Sequence, residues 1–325
     1  MLVMNQKITI VNHDFYVTLS IGISIYPEDG INSEILIKNA DAAMYKAKED
    51  GRDTYRFYNE AMTKKAFERI VMESSLRTAL EKKEFIVYYQ PQIDGQTNKL
   101  IGMEALVRWR HPVMGLVSPI KFIPLAEETG LIISLDQWVM KTAMNQIVQW
   151  YKDGLNPGVL ALNLAIKQLQ QENFMEILSS LLEETGCKPE WLELEVTEGQ
   201  IMNDPERAII TLNQINKLGI ELAIDDFGTG YSSLSYLKRL PIDKLKIDQS
   251  FIKDLPSEDE DVGITKAVIS LANSLNLKVI AEGVETQEQK DFLVENGCNN
   301  IQGYFYSKPI PADDIKVNFL EELDS

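Results

Sequence analysis

The chain has 325 residues, 45% of them hydrophobic, enough for a sizeable core and more than one typical domain; one large domain plus a smaller piece is expected. Its 32 basic against 49 acidic residues leave a net charge of −17, which disfavours contact with nucleic acid polymers or an anionic membrane; an anionic ligand would need metals or a local positive site. Two histidines, His13 and His111, exclude a histidine-rich zinc or iron centre, and two distant cysteines, Cys187 and Cys298, read as buried free thiols.

From the N-terminus, residues 15–25 (FYVTLSIGISI) are β-branched and aromatic with alternating character, and Pro27 to Gly30 supplies a turn, which predicts a strand or hairpin arm. Ser33 is placed to cap a helix with apolar positions Leu36, Ala40, Ala43, Met44 and Ala47 at helical spacing, and Gly51 to end it. Residues 55–58 predict a further short strand. This set is too small to make a convincing sheet by itself. Between Asn59 and Lys83 there is no Gly or Pro, and Phe67, Ile70, Val71, Leu76 and Leu80 recur at helical intervals. That composition predicts a fairly rigid connecting helix rather than a flexible linker.

Beyond residue 84 short apolar segments alternate with amphipathic helices. The strands are predicted at 85–89, 100–106, 159–163, 192–196, 221–225, 244–247, 278–282 and 299–303. Two helix starts pair a capping residue with Pro, at Ser118-Pro119 and Asp204-Pro205. Eight strands alternating with helices over about 240 residues is the rhythm of a (β/α)8 barrel, whose chemistry sits at the carboxyl ends of its strands. A doubly wound open sheet is the competing topology, but it would not gather ligands from so many strands around one point. No apolar stretch approaches the roughly 20 residues of a membrane span and no signal pattern opens the chain. No membrane contact is expected from this segment. The cytoplasm fits best, for the chain alone or as the cytosolic part of a larger membrane-associated sensor.

Chemistry concentrates where the apolar segments end. Asp225 and Asp226 close one of them; adjacent carboxylates repel and are costly to desolvate unless a cation compensates them. An Asp-Asp followed by Gly-Thr-Gly is equally a good turn signal. Other segments, however, also end on oxygen donors: Glu104, Asn163, Glu195 and Glu282. Such donors suit Mg²⁺ or Mn²⁺. Lys246, read alone, is a surface lysine paired with Asp243 or Asp248.

Residues 88–92 (YYQPQ), 103–112 (MEALVRWRHP), 122–131 (FIPLAEETGL), 195–198 (EVTE), 225–234 (DDFGTGYSSL), 246–251 (KIDQSF), 281–285 (AEGVE) and 302–304 (QGY) together resemble the EAL-domain phosphodiesterases of bacterial cyclic-di-GMP signalling, over roughly residues 75 to 312. The resemblance implies an α/β fold, a TIM-like (β/α)8 barrel with one antiparallel strand, and metal-dependent hydrolysis of 3′,5′-cyclic-di-GMP to linear 5′-pGpG. It implies two divalent cations, Mg²⁺ or Mn²⁺: Glu104, Asn163, Glu195 and Asp225 resemble ligands of one, and Asp225 would bridge to a second held with Asp226. Lys246 resembles the family lysine that reaches the hydrolytic water, with Asp248 orienting it; it could act electrostatically or exchange a proton. Glu282 resembles a proton acceptor or outer metal-site group, and Gln302 a partner holding water. Arg108 resembles the arginine that contacts substrate phosphate, its plain alternative being a rim salt bridge with Glu104 or Glu127. Gln90 and Leu106 would touch the nucleotide, whereas Trp109 reads as core. Glu198 would steady the loop Asp226 to Leu234, which in the family often lies near a homodimer contact.

Ala165, Gly199 and Lys121 depart from the residues common at their positions, Ser, Ser and Glu, but none replaces an implied ligand. The N-terminal motifs SIGIS (20–24), YPEDG (26–30) and NADAAMYKAKEDGRD (39–53) resemble the last portion of a GGDEF domain, a partial α+β fragment without the signature loop, so cyclase activity is not expected. Its strand edges should expose apolar surface. The domain reading is therefore 1–58 GGDEF-like fragment, 59–74 helical linker and 75–325 phosphodiesterase domain. A noncatalytic cyclic-di-GMP receptor is the alternative function, and a barrel metalloenzyme for another phosphate or carboxylate the third.

Overall fold

The computed structural model describes residues 8–10, 13–15, 18–228 and 234–321, in two compact units, Met1–Thr78 and Ala79–Ser325. In the first, β1 (Ile8–Ile10) and β2 (His13–Phe15) pair antiparallel, while β3 (Ile21–Ile23), α1 (Ser33–Glu49) and β4 (Tyr55–Phe57) form a parallel β-α-β unit. The single strand expected over 15–25 is thus divided, with residues 16–17 outside the described set. Pairing with β4 and the close approach of α1 set the position of β3: a Cβ on Gly22 would sit 1.9 Å from the Ala40 carbonyl oxygen, so only glycine fits. The cap of α1 is Asn32, not Ser33. Asn32 is extended and its side chain accepts from the Ile35 N–H, leaving Ser33 as the first helical residue. Both residue types cap well, which is why the sequence does not separate them.

Strand β4 keeps apolar surface in solvent, as expected, with Tyr55 49% and Phe57 52% exposed, and α1 does so too at Ile37. The connecting helix is α2 (Glu60–Ala79). It stops short of Lys83 because Leu80 to Lys83 make a turn in which Lys83, at φ 56, is left-handed.

The second unit is a closed barrel. Its elements run β5 (Phe85–Asp94), β6 (Leu100–His111), β7 (Gly115–Val117), α3 (Pro119–Thr129), α4 (Ile132–Lys152), β8 (Val159–Asn163), α5 (Ile166–Leu169), α6 (Phe174–Thr185), β9 (Leu192–Thr197), α7 (Glu198–Asn203), α8 (Pro205–Lys217), β10 (Glu221–Phe227), α9 (Leu234–Leu237), β11 (Lys244–Ile247), α10 (Asp259–Ser274), β12 (Lys278–Ala281), α11 (Gln287–Glu295), β13 (Asn300–Gln302) and α12 (Ala312–Ile315). The ring order is β5-β13-β12-β11-β10-β9-β8-β6, closed by a β5–β6 pairing, with β7 outside it. Only β5 runs against its ring neighbours. All eight expected strands are present; β5 and β6 are longer than their apolar runs because they pair along most of their length, from Phe85↔Trp109 to Ile93↔Leu100.

Helices close over the barrel as amphipathic layers. On α4, Leu135, Met140, Ala143, Met144, Ile147 and Trp150 are buried, with the Trp150 ring edge-on to Tyr89 at 5.2 Å. Asp204 caps α8 by accepting from the Arg207 N–H, whereas Ser118 makes no side-chain cap bond and leaves Pro119 to set the start of α3. Both cysteines are buried free thiols.

Candidate active site

Parallel strands from β6 round to β13 deliver their carboxyl ends to one mouth, so the residues that terminate them converge although they are far apart in sequence. In a regular strand Asp225 and Asp226 would point to opposite faces. Here the β10–β11 register shifts between Ile224 and Phe227, and Asp226 takes a left-handed φ of 53. Two residues of β10 oppose one of β11, a bulge that turns both carboxylates toward the mouth. Oxygens of Asp225, Asp226 and Glu282 lie within 4.8 Å of one another.

Lys246 stands at the centre. It is fully buried, and its Nζ lies 2.7 Å from Glu195, 2.7 Å from Glu282, 3.1 Å from Asp225 and 3.9 Å from Glu104. The surface-lysine reading is overturned, and the glutamates around it are withdrawn from solvent as well: Glu104 and Glu195 are buried and Glu282 is half-buried. A net of amides fixes Glu104. Gln302 donates to it at 2.5 Å and to Gln90 at 3.2 Å, Gln92 donates to Gln302 at 3.0 Å, and the Asn163 amide donates to the other Glu104 oxygen at 2.6 Å. Ligation by Asn163 would require its amide oxygen in place of that nitrogen.

Burial alone would lower the Lys246 pKa, but Asp225, Glu104, Glu195 and Glu282 outweigh it and hold it well above the lysine range. One ammonium cannot neutralise four carboxylates. Burial, reinforced by neighbouring acids, accordingly pushes Glu282 up to about 8 and Asp226 up to about 6, and raises Glu195 well above the carboxylate range. Glu195 also keeps one buried oxygen with no hydrogen-bond partner. An undercompensated, oxygen-only cluster with an orphaned acceptor fits further cationic charge, and its hard donors fit Mg²⁺ or Mn²⁺.

A stability consequence follows. Folded carboxylates with raised pKa bind protons that unfolded ones have released, so metal-free protein should gain stability as pH falls from about 8 toward 4.5, the interval between the folded and ordinary values for Glu282. Urea midpoints across that interval measure it, and adding Mg²⁺ should flatten the trend by displacing the protons. A midpoint that instead drops as the pH is lowered across that interval would contradict the raised values.

Other expected residues surround this centre. Asp248 caps the turn after β11 by accepting from Ser250 and hydrogen-bonds Asp226. Glu198 accepts from the Gly228 N–H at 3.4 Å; residues 229–233 of the loop it would steady lie outside the described set. Arg108 is half-buried, donates to the Val107 carbonyl and lies 5.8 Å over the Tyr88 ring, with no ion pair to Glu104 or Glu127. Trp109 is fully buried and donates to Glu84.

A cavity of about 240 Å³ opens on the cluster, lined by Gln90, Glu104, Leu106, Asp225, Glu282 and Gln302 among others. Apart from two glycines, sequence reasoning did not single out three of its lining residues, Gln249, Glu285 and Tyr304. Each lies within three residues of a singled-out position, Asp248, Glu282 or Gln302, and the rule that residues just past barrel strands face the mouth could have found them. Gly303 lets two segments meet here: a Cβ would sit 2.0 Å from the Val284 carbonyl oxygen. Deeper in the barrel, Lys244 pairs with Glu193 at 2.5 Å, both buried, a second ion pair that the sequence did not announce.

The fold and mouth define an α/β barrel of TIM type with a buried acidic centre. The family model of the EAL domain matches residues 73–309, and the chain belongs to that family. A model described as the GGDEF domain of diguanylate cyclases matches residues 2–54, in agreement with the motifs read there. Among curated proteins, the bifunctional diguanylate cyclase/cyclic di-GMP phosphodiesterase MucR of Pseudomonas aeruginosa is 42% identical over 311 residues, 96% of this chain and 45% of its own length. The cyclic di-GMP phosphodiesterase NbdA of the same species is 42% identical over 311 residues, 95% of this chain and 39% of its own. The chain thus spans less than half the length of these relatives. A solved MucR phosphodiesterase in complex with c-di-GMP matches with a TM-score of 0.73 at 41% identity, over 75% of this chain and 99% of that one. No helix among the described residues is long and apolar enough to cross a membrane.

Proposed function

We propose that this chain is a divalent-metal-dependent phosphodiesterase that hydrolyses 3′,5′-cyclic-di-GMP to linear 5′-pGpG, through a domain spanning residues 75–325 that follows a GGDEF-like fragment (1–58) and a helical linker (59–74). The observation that carries this reading is the convergence of Glu104, Glu195, Asp225 and Glu282 on the buried ammonium of Lys246, with Glu104, Asp225 and Glu282 also lining the cavity. Glu104, Asn163, Glu195 and Asp225 would hold one Mg²⁺ or Mn²⁺, and Asp225 with Asp226 a second. When bound, such ions stabilise negative charge on phosphoryl oxygens and make water more acidic.

The side chains divide the remaining work. Arg108 offers paired donors to a substrate phosphate, while Gln90 and Leu106 contact the nucleotide. Lys246 contributes fixed positive charge; its pKa, held well above the lysine range, argues against proton exchange in the metal-free state. Glu282, 2.7 Å from Lys246, is the proton acceptor, Asp248 orients water, and Gln302 holds Glu104 in place. Glu198 steadies the loop after β10 through Gly228, and a homodimer contact near that loop would couple assembly to turnover.

Hydrolysis of cyclic-di-GMP, pGpG and a generic aryl phosphodiester should be compared with Mg²⁺, with Mn²⁺ and with chelator. We expect metal-dependent conversion of cyclic-di-GMP to pGpG, much slower cleavage of the generic ester and none with chelator. Nucleotide binding without product would establish the receptor alternative, and indiscriminate cleavage a different barrel metalloenzyme.

A further inference from the structure

Asp136 lies on the first turns of α4, outside the strands, and none of the family motifs above contains it. It is partly buried, and burial pushes its carboxyl up to about 7, with the Glu127 charge adding to the effect. A carboxylate is costly to keep there, and its bond explains its presence. Its Oδ2 accepts the backbone N–H of Ala165 at 3.1 Å. Ala165 is the cap residue of α5 and has no side chain to cap with. It sits two residues beyond Asn163, at the end of β8, on the segment that carries Asn163 into the mouth. The same segment is tied again where the Lys167 ammonium donates to the Glu127 carbonyl of α3.

We propose that Asp136 is a positioning residue for Asn163: by gripping the Ala165 N–H from α4 it fixes the strand-to-helix turn and sets where the Asn163 amide stands against Glu104. The inference rests on the reading that Asn163 is a metal ligand. Without this anchor the turn is held by the Leu164 N–H to Glu195 bond and by Lys167, and the amide gains freedom at the mouth.

The test is Mn²⁺ binding by isothermal titration calorimetry, with folding checked by thermal melts. Asp136→Ala should weaken Mn²⁺ about tenfold or more, the scale of losses when support behind a ligand is removed. Asp136→Asn, which keeps an acceptor oxygen, should stay within about threefold of the parent. Ala165→Pro removes the donor at a residue whose φ of −67 suits proline, and should reproduce the Asp136→Ala loss, with no further loss in the double variant. If Asp136→Ala does not fold, Ala165→Pro carries the same test. Unchanged Mn²⁺ affinity in a folded Asp136→Ala or Ala165→Pro variant overturns the inference, as does equal weakening by Asp136→Asn. Failure of the unsubstituted chain to bind Mn²⁺ would instead overturn the metal-site reading on which it rests.

Discussion

Lys246→Met is expected to destabilise the metal-free protein by about 3–5 kcal/mol and to reduce turnover by roughly 10²–10⁴-fold. Lys246 is the cation common to Glu195, Asp225 and Glu282, at 2.7, 3.1 and 2.7 Å. Its removal leaves these carboxylates facing one another below the surface. They would respond by taking up protons, which lowers the cost without restoring the lost attraction. Divalent cations should therefore recover more stability in the variant than in the parent, because a ligand that binds only the folded state stabilises by mass action. Urea unfolding of both proteins with and without Mg²⁺ measures this difference. A variant that matches the parent in the absence of metal would mean that the surrounding acids are already neutral and need no ammonium.

Glu104→Ala should lower cyclic-di-GMP turnover at least about a hundredfold while part of the nucleotide affinity survives. Glu104 anchors the site on two sides, accepting from Gln302 at 2.5 Å and from Asn163 at 2.6 Å. Its loss removes a proposed ligand and also unties Asn163 and the buried amide chain through Gln302, Gln90 and Gln92. Gln90 also donates to the Ser307 carbonyl, so this wall of the cavity keeps one of its own anchors. Single-turnover hydrolysis together with equilibrium nucleotide binding separates the two losses. Turnover near that of the parent would place the chemistry elsewhere in the mouth.

Much of this centre was legible in order but not in arrangement. Glu104, Asn163, Glu195, Asp225 and Glu282 could be singled out because each ends an apolar run, and a polar oxygen at that place in several strands of one chain is hard to explain by surface position alone. The helix starts at Pro119 and Pro205 were equally readable, since Pro lacks an amide hydrogen and fixes φ wherever it stands. What local sequence could not supply was context carried by other strands. Read without its motif, Lys246 is a surface lysine beside Asp243 and Asp248, because sequence neighbours are the only partners in view, and only the family resemblance moved it to the site; its actual partners stand on β6, β9 and β10 and just beyond the end of β12. Glu193 and Lys244 went unnoticed for the same reason. They pair at 2.5 Å across the intervening β10, from strands that are not neighbours in the ring.

By itself the sequence determined where the eight ring strands and two of the helix starts lie, that the donors would be oxygens, and that the family motifs occur in one order. Those properties depend on local periodicity, residue chemistry and short-range capping, which act between near neighbours. Tertiary structure alone decided that the antiparallel strand is β5, that a bulge at Asp226 turns two consecutive carboxylates the same way, and that one buried ammonium gathers acids carried by four different strands or their ends. Closure and register depend on pairing across the whole barrel, and the charge of Lys246 depends on which carboxylates that pairing brings within reach.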